Sequence, residues 1–246
     1  MMTVSVITST IGRPELRKCV ESVAAQTYPC KHYVFVNGPK YHQPVRDVLG
    51  PLDFNMKSHI YFLAEETGAV GADKPDCNGV FAAAPYLTNA DWIFYLNDDD
   101  FFDENHVWSL VDLIQRHDLK WAYSLRKFVD INDQVICEDN FNSLGSHTLP
   151  HAGPPFVDNS CFAVSRRLAC QLGMAWSAVP IMGDRCFFMA LQDSGEKYGC
   201  TGLYTTNYRI GTGTAVGDSN LYLESDKLVR AQFPKGFPWA GAQVFC

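Results

Sequence analysis

The sequence predicts an α/β fold, a mainly parallel sheet flanked by helices, and three observations predict it. Short apolar runs at residues 4–9, 33–36, 59–63 and 92–96 alternate with stretches of helical periodicity at 14–27, 75–87 and 104–117, the order that builds βαβ units. Trp92-Ile93-Phe94-Tyr95-Leu96 carries no polar break, as a strand covered by helices on both faces requires. The chain of 246 residues is 47% hydrophobic and 19% charged, enough apolar material for one large core. No internal repeat, low-complexity tract or linker divides it. A single domain over 1–246 is expected, with residues 1–100 and 101–220 as its halves and 221–246 as a terminal helix and tail.

Each element follows from local pattern. Residues 4–9 read as the first strand, and 14–27 as a helix with Leu16, Cys19, Val20, Val23 and Ala24 on one face. The loop between them, Thr10-Ile11-Gly12-Arg13, sets a cation between a strand end and a helix start, where backbone N–H groups and an Arg meet the anionic part of a nucleotide. Arg13 reads equally as an ordinary loop cation. The strand at 33–36 ends at Asn37-Gly38-Pro39, and β-α-β order predicts parallel pairing with a right-handed crossover. Residues 43–58 are mixed, with Pro44 and Pro51 limiting any helix, and 59–63 is a third strand. A Gly-rich segment from Glu65 to Pro75 feeds the helix at 75–87 but lacks the Gly-Lys-Ser/Thr ending of a P-loop. With Val80, Phe81, Ala84 and Leu87 on its inner side, that helix leaves Asp73, Lys74 and Asn78 free to face the edge that carries Asp99.

The second half is less regular. Residues 122–128 and 134–137 read as a hairpin around 130–133, and 143–155 as a long Gly/Pro/His loop. A strand at 162–164 leads to Ser165 as N-cap of a helix that Gly173 ends. Residues 180–185 open a helix over 186–191, 202–206 form the last strand, 211–214 a flexible loop and 221–231 the final helix, with 233–246 packing on the body.

Charge narrows the function. The formal net charge of −7 argues against a nucleic-acid or anionic-membrane partner, both of which need a basic surface. Nine cysteines without a Cys-x-x-Cys pair point to reduced thiols. The chain has no apolar run of membrane-spanning length and no signal-like start, so a cytoplasmic protein is expected. Asp98-Asp99-Asp100 follow the most apolar strand. Three like charges so close need a cation, and hard oxygen ligands suit Mg²⁺, Mn²⁺ or Ca²⁺. Caps for the next helix would explain one or two of them.

Taken in order, these segments resemble the GT-A glycosyltransferases, most closely the family 2 type that uses nucleotide-diphosphate sugars. The likeness spans residues 3–215. Val4-Ser5-Val6-Ile7-Thr8, then Arg13-Pro14-Glu15-Leu16 and Ser22-Val23-Ala24-Ala25-Gln26-Thr27-Tyr28-Pro29, are similar to that family's opening strand, loop and helix. The segment from Tyr95 to Asp100 is similar to its DXD metal motif, and Gly183-Asp184 to its Glu-Asp segment, whose Asp is the base in inverting members.

The resemblance implies a GT-A (Rossmann-like) mixed sheet. Donor contacts would come from Thr8, Ser9, Thr10, Arg13, Asn37, Asp73, Lys74, Asn78, Asn97 and Asp98. Metal, Mn²⁺ or Mg²⁺, would be held by Asp99 in one register, or by Asp98 and Asp100 in the other. Asp184 would be the catalytic base, although as a sequence feature it also reads as a helix cap. Three positions depart from the family: Asn37 replaces the acid that reads uracil, Gly183 the acid before the base, and Gly211 a histidine.

The implied activity is metal-dependent, inverting transfer from a UDP-sugar to a glycan or other hydroxyl acceptor. A loop carrying His151, Asp158 and Asn159 would form the acceptor wall. Two alternatives stand beside it. A sugar nucleotidyltransferase needs a Gly-rich N-terminal loop for a triphosphate, whereas residues 9–14 hold one Gly. A non-catalytic sugar-nucleotide or carbohydrate-binding protein would keep the carboxylates and dispense with Asp184.

Overall fold

A computed structural model describes residues 1–50, 58–68, 76–147, 155–180, 182–212 and 219–246. The expected strands of the first half form at β1 (Val4–Thr10), β2 (Lys31–Val36), β3 (Ser58–Phe62) and β4 (Trp92–Tyr95), and α1 (Leu16–Ala24) joins the first two. Where Pro44 was expected to limit a helix, α2 (His42–Leu49) forms nonetheless. Pro44 falls in its first turn, where the N–H has no intrahelical acceptor to lose, and Gly50 closes it at φ 62°. The next helix is shorter than its pattern: α3 (Asn78–Ala83) passes into a 3₁₀ turn over Ala84–Leu87 at Pro85.

The second half contains β5 (Phe101–Phe102), α4 (His106–His117), β6 (Trp121–Val129), β7 (Val135–Glu138), β8 (Phe162–Ser165) and α5 (Arg166–Leu172). α5 ends at Leu172 with Gly173 as its C-cap, as expected, but without a left-handed turn. The Gly173 φ of −51° is helical, and the chain runs on as a 3₁₀ turn to Ser177. Ser165 makes no side-chain cap, and its hydroxyl is buried without a partner among the described residues. Then come α6 (Gly183–Asp193), β9 (Tyr198–Arg209), α7 (Ser219–Gln232) and β10 (Gln243–Phe245). β5 and β10 are too short to show in sequence, while β9 runs well beyond the expected 202–206 because residues 198–200 pair with both β6 and β10 and residues 207–209 pair with β6.

One sheet runs β10-β9-β6-β8-β4-β1-β2-β3. β1, β2, β3 and β4 pair in parallel; β8 lies antiparallel between β4 and β6; and β6 is parallel to β9. Six strands, β1, β2, β3, β4, β6 and β9, therefore point one way, and their carboxyl ends share an edge. β4 is buried on both faces, as its unbroken apolar run requires. Tyr95 and Ile93 join Phe81, Phe162, Trp176 and Phe187 on one side, while Phe94 and Trp92 join Val107, Leu110 and Ile114 on the other. Trp176 stacks on Phe187 at 4.4 Å and fixes the approach of α6 to the sheet. Trp239 in the tail is buried, donating to Asn140 Oδ1, so the tail does pack on the body. No disulfide forms among the described cysteines. Among the described residues, no helix is long and apolar enough to cross a membrane.

Candidate active site

The shared edge of strand ends holds a polar cavity of about 220 Å³, lined by Ser9, Arg13, Asn37, Asn97, Asp98, Asp99, Asp100 and Arg209 among others. Parallel pairing of β1 with β4 brings the end of one beside the end of the other, so Thr10 Oγ1 donates to Asp98 Oδ2 at 2.7 Å and the Ile11 N–H to the same oxygen at 3.2 Å. Gly12, at φ 78°, turns the chain next. A Cβ there would stand 2.8 Å from Pro44 Cβ, so only glycine lets the loop lie against α2 and return Arg13 to the cavity. Arg13 Nη1 then bridges Asp98 Oδ1 at 3.0 Å and Asp99 Oδ2 at 2.7 Å.

The three carboxylates are not equivalent. Asp100 is buried and saturated: its oxygens accept the Arg209 backbone N–H, the Asn97 amide and the Ser160 hydroxyl. Both oxygens of Asp98 are occupied as well. Asp99 alone keeps an oxygen that, among the described residues, no donor reaches. Burial, offset by Arg13 and reinforced by Asp99, pushes the Asp98 carboxyl up to about 6, and burial beside Asp99 and Asp158 drives Asp100 well above the carboxylate range.

Carboxylate oxygens of this kind are the donors a hard divalent cation would prefer. No three His, Cys, Asp or Glu side chains converge into a closed metal cage among the described residues. Mg²⁺-type sites, however, are commonly completed by substrate phosphates on one or two carboxylates. With the side chains as they stand, the open oxygen of Asp99 is the one that could take such an ion among the described residues, since both oxygens of Asp98 already accept hydrogen bonds.

Arg209, which with Tyr208 precedes the position where many relatives place a histidine, carries no site role in the sequence reading. Its buried guanidinium bonds the Asp99 carbonyl and Asp133, leaving Nε without a partner among the described residues. It is a second cation lining the cavity.

A second cavity of about 200 Å³ adjoins the first, and both are lined by Asp76, Cys77, Asn97 and Tyr208. Asn78, Asp158, Asn159, Gly183 and Asp184 complete it. Asp184 stands in the first turn of α6 and accepts the Arg185 N–H at 2.8 Å. No side chain among the described residues donates to it. Burial, with Asp158 nearby, pushes its carboxyl up to about 6. Gly183 has a packing reason: a Cβ there would lie 2.2 Å from Asn78 Oδ1 and 2.7 Å from the Trp176 carbonyl. The acid expected before Asp184 has no room. Asp158 is held from behind by Arg126, which also bonds Asp139 at 2.8 Å and lies under the Tyr208 ring at 4.2 Å.

The remaining sequence candidates divide. Thr8 is not brought to either cavity: its hydroxyl turns into the core, 2.9 Å from His32 Nε2. Asn37 lines the first cavity, but its amide is fully engaged with the loop opposite, donating to the Thr67 and Asp76 carbonyls and accepting from Thr67 N and Oγ1. Asn97 exchanges amide hydrogen bonds with Asn159 at 2.9 and 2.7 Å, at the join of the two cavities. Asp73, Lys74 and His151 lie outside the described residues. Asp76, unremarked in sequence, caps Asn78 through its backbone and side-chain N–H groups.

The fold is a mixed, mainly parallel α/β sheet flanked by helices, and solved structures share it. Among the solved structures it resembles is Staphylococcus aureus TarS: in complex with UDP-GlcNAc, that protein superposes with a TM-score of 0.60 at 13% identity, over 96% of this chain and 67% of that one. Two further TarS structures give 0.63 at 12% identity and, in complex with UDP, 0.59 at 10%. No family model matches the sequence. An uncharacterized protein of Haemophilus influenzae is 30% identical over 94 residues, which take in 37% of this chain and 57% of that protein.

Proposed function

We propose that this chain is a metal-dependent glycosyltransferase that moves a sugar from a UDP-sugar to a hydroxyl of a glycan or similar acceptor, with inversion. The observation that carries the reading is that the two cavities adjoin across four shared residues. A cluster of carboxylates and arginines suited to a diphosphate lies against a space, walled by four of the same residues, whose lightly bonded carboxylate among the described residues is Asp184. Superposition on a protein crystallised with UDP-GlcNAc and with UDP supports the donor class.

Mn²⁺ or Mg²⁺ on Asp99 and Asp98 would supply charge neutralisation for the departing diphosphate. Arg13 and Arg209 would add positive charge to the same oxygens. Asn97 and Asn159, locked to each other, mark the junction where the anomeric carbon would lie. With its carboxyl at about 6, Asp184 is ionised at neutral pH yet basic enough to take the acceptor hydroxyl's proton as that oxygen attacks.

The test is UDP release from a panel of UDP-sugars, with Mn²⁺ and with chelator. Metal-dependent release, hydrolytic without acceptor and faster with one, supports the reading. Tight UDP-sugar binding without any turnover would instead indicate a binding protein, and pyrophosphate-dependent exchange a nucleotidyltransferase.

A further inference from the structure

Resting on the reading that the strand-end cluster takes a nucleoside diphosphate with its metal, we propose that Arg13 is the resident counter-cation of that site, displaced only when diphosphate and divalent cation arrive together. A single nitrogen, Nη1, stands between two carboxylates, 3.0 Å from Asp98 and 2.7 Å from Asp99. The Arg13 side chain is 29% exposed, against 6% and 12% for those carboxylates, so the guanidinium covers them from the solvent side. Among the described residues it has no other hydrogen-bond partner. It is thus the one member of the cluster able to leave without breaking the fold. The donors on Asp100 and on the far oxygen of Asp98 are backbone N–H groups and short buried side chains, which cannot move away.

The consequence is electrostatic. A bare divalent cation approaching Asp99 meets a positive charge already seated there, and two cations a few ångströms apart in a partly buried site repel strongly. A diphosphate changes the balance by offering the guanidinium a bidentate anionic partner of its own. Once Arg13 swings to the phosphates, Asp98 and Asp99 are open to the metal. Metal and nucleotide therefore favour each other's binding by the same factor, as linkage demands. Arg13 reports the arrival of one ligand to the site of the other.

The experiment is calorimetric titration of Mn²⁺ into wild type, Arg13→Gln and Arg13→Lys, each with and without UDP, with melting temperatures measured alongside. Arg13→Gln should bind Mn²⁺ alone at least about tenfold more tightly than wild type, since a charge-assisted contact no longer competes. Its melting temperature, lowered by the unshielded carboxylates, should rise on Mn²⁺ addition by more than wild type's. Arg13→Lys keeps the charge but not the fork, so it should fold and show a smaller gain, which keeps the test decisive even where the Gln variant does not fold. UDP should bind both variants more weakly than wild type. No gain in metal affinity in either variant overturns the proposal. Failure of wild type to bind UDP in the presence of Mn²⁺ would sink the transferase reading instead, and leave the comparison of Mn²⁺ alone to decide the role of Arg13.

Discussion

The two adjoining cavities solve the problem of buried carboxylates in opposite ways. Around Asp98 to Asp100, nearly every oxygen has a donor, and two arginines neutralise the charge. Around Asp184 there is one backbone N–H and no side-chain donor among the described residues, so burial acts on it almost alone. A charge that is held in place suits recognition of a fixed anionic group, whereas a charge left underbonded suits a proton acceptor. The contrast lies in environment rather than residue type, since both regions present aspartates at the ends of regular elements.

Removing the support behind the second cavity should have the largest effect. Arg126 is buried between Asp139 and Asp158, and Arg126→Met leaves both carboxylates unpaired, at a cost of about 3–5 kcal/mol in denaturant unfolding. Loss of less than a third of that would mean that Asp158 is not held by the ion pair. Gly183→Ala probes the tight join between α6 and α3. Overpacking against Asn78 and the Trp176 carbonyl should cost about 1–3 kcal/mol, and Asn78→Ala in the same chain should recover part of it. If the double variant recovers nothing, the Trp176 carbonyl alone sets the requirement for glycine.

A smaller effect distinguishes Asp184 from its neighbours by its sign. Its carboxyl, raised from 3.8 to about 6 in the fold, favours the native state while protonated, so its contribution is fully present below pH 3.8 and is lost as pH rises through 6. Asp184→Asn should therefore stabilise the protein at pH 7.5 by up to about 3 kcal/mol and leave it nearly unchanged near pH 3.5, read from unfolding midpoints. A cap alone would give no gain at either pH, because Asn caps about as well as Asp.

The sheet's first half was legible in sequence because each strand there is a short apolar run closed by a polar turn. The carboxylate cluster was legible for the same reason, sitting where β4 ends. The roles of Arg209 and Asp76 were not, since Arg209 reaches the cavity through the length of β9 and Asp76 through a loop capping α3, long-range placements that local pattern does not carry. Asn37 and Thr8 show the reverse failure. Their positions near strand ends were read correctly, but alternation along β1 turns Thr8 inward, and Asn37 is taken up by backbone groups of a loop thirty or more residues away in sequence. Gly183 looked like a lost acid and is a packing requirement imposed by Asn78, a long-range contact that sequence spacing does not encode.

The comparison rests on Asp184 being the underbonded base, and its turnover tests that most directly. UDP-sugar turnover and UDP affinity should be measured for wild type and Asp184→Asn from pH 5 to 8. Wild-type turnover should rise as pH passes through about 6 and then level off, while Asp184→Asn should fall by roughly a hundredfold or more with UDP affinity unchanged. Near wild-type turnover in Asp184→Asn, with the same pH profile, would contradict the account.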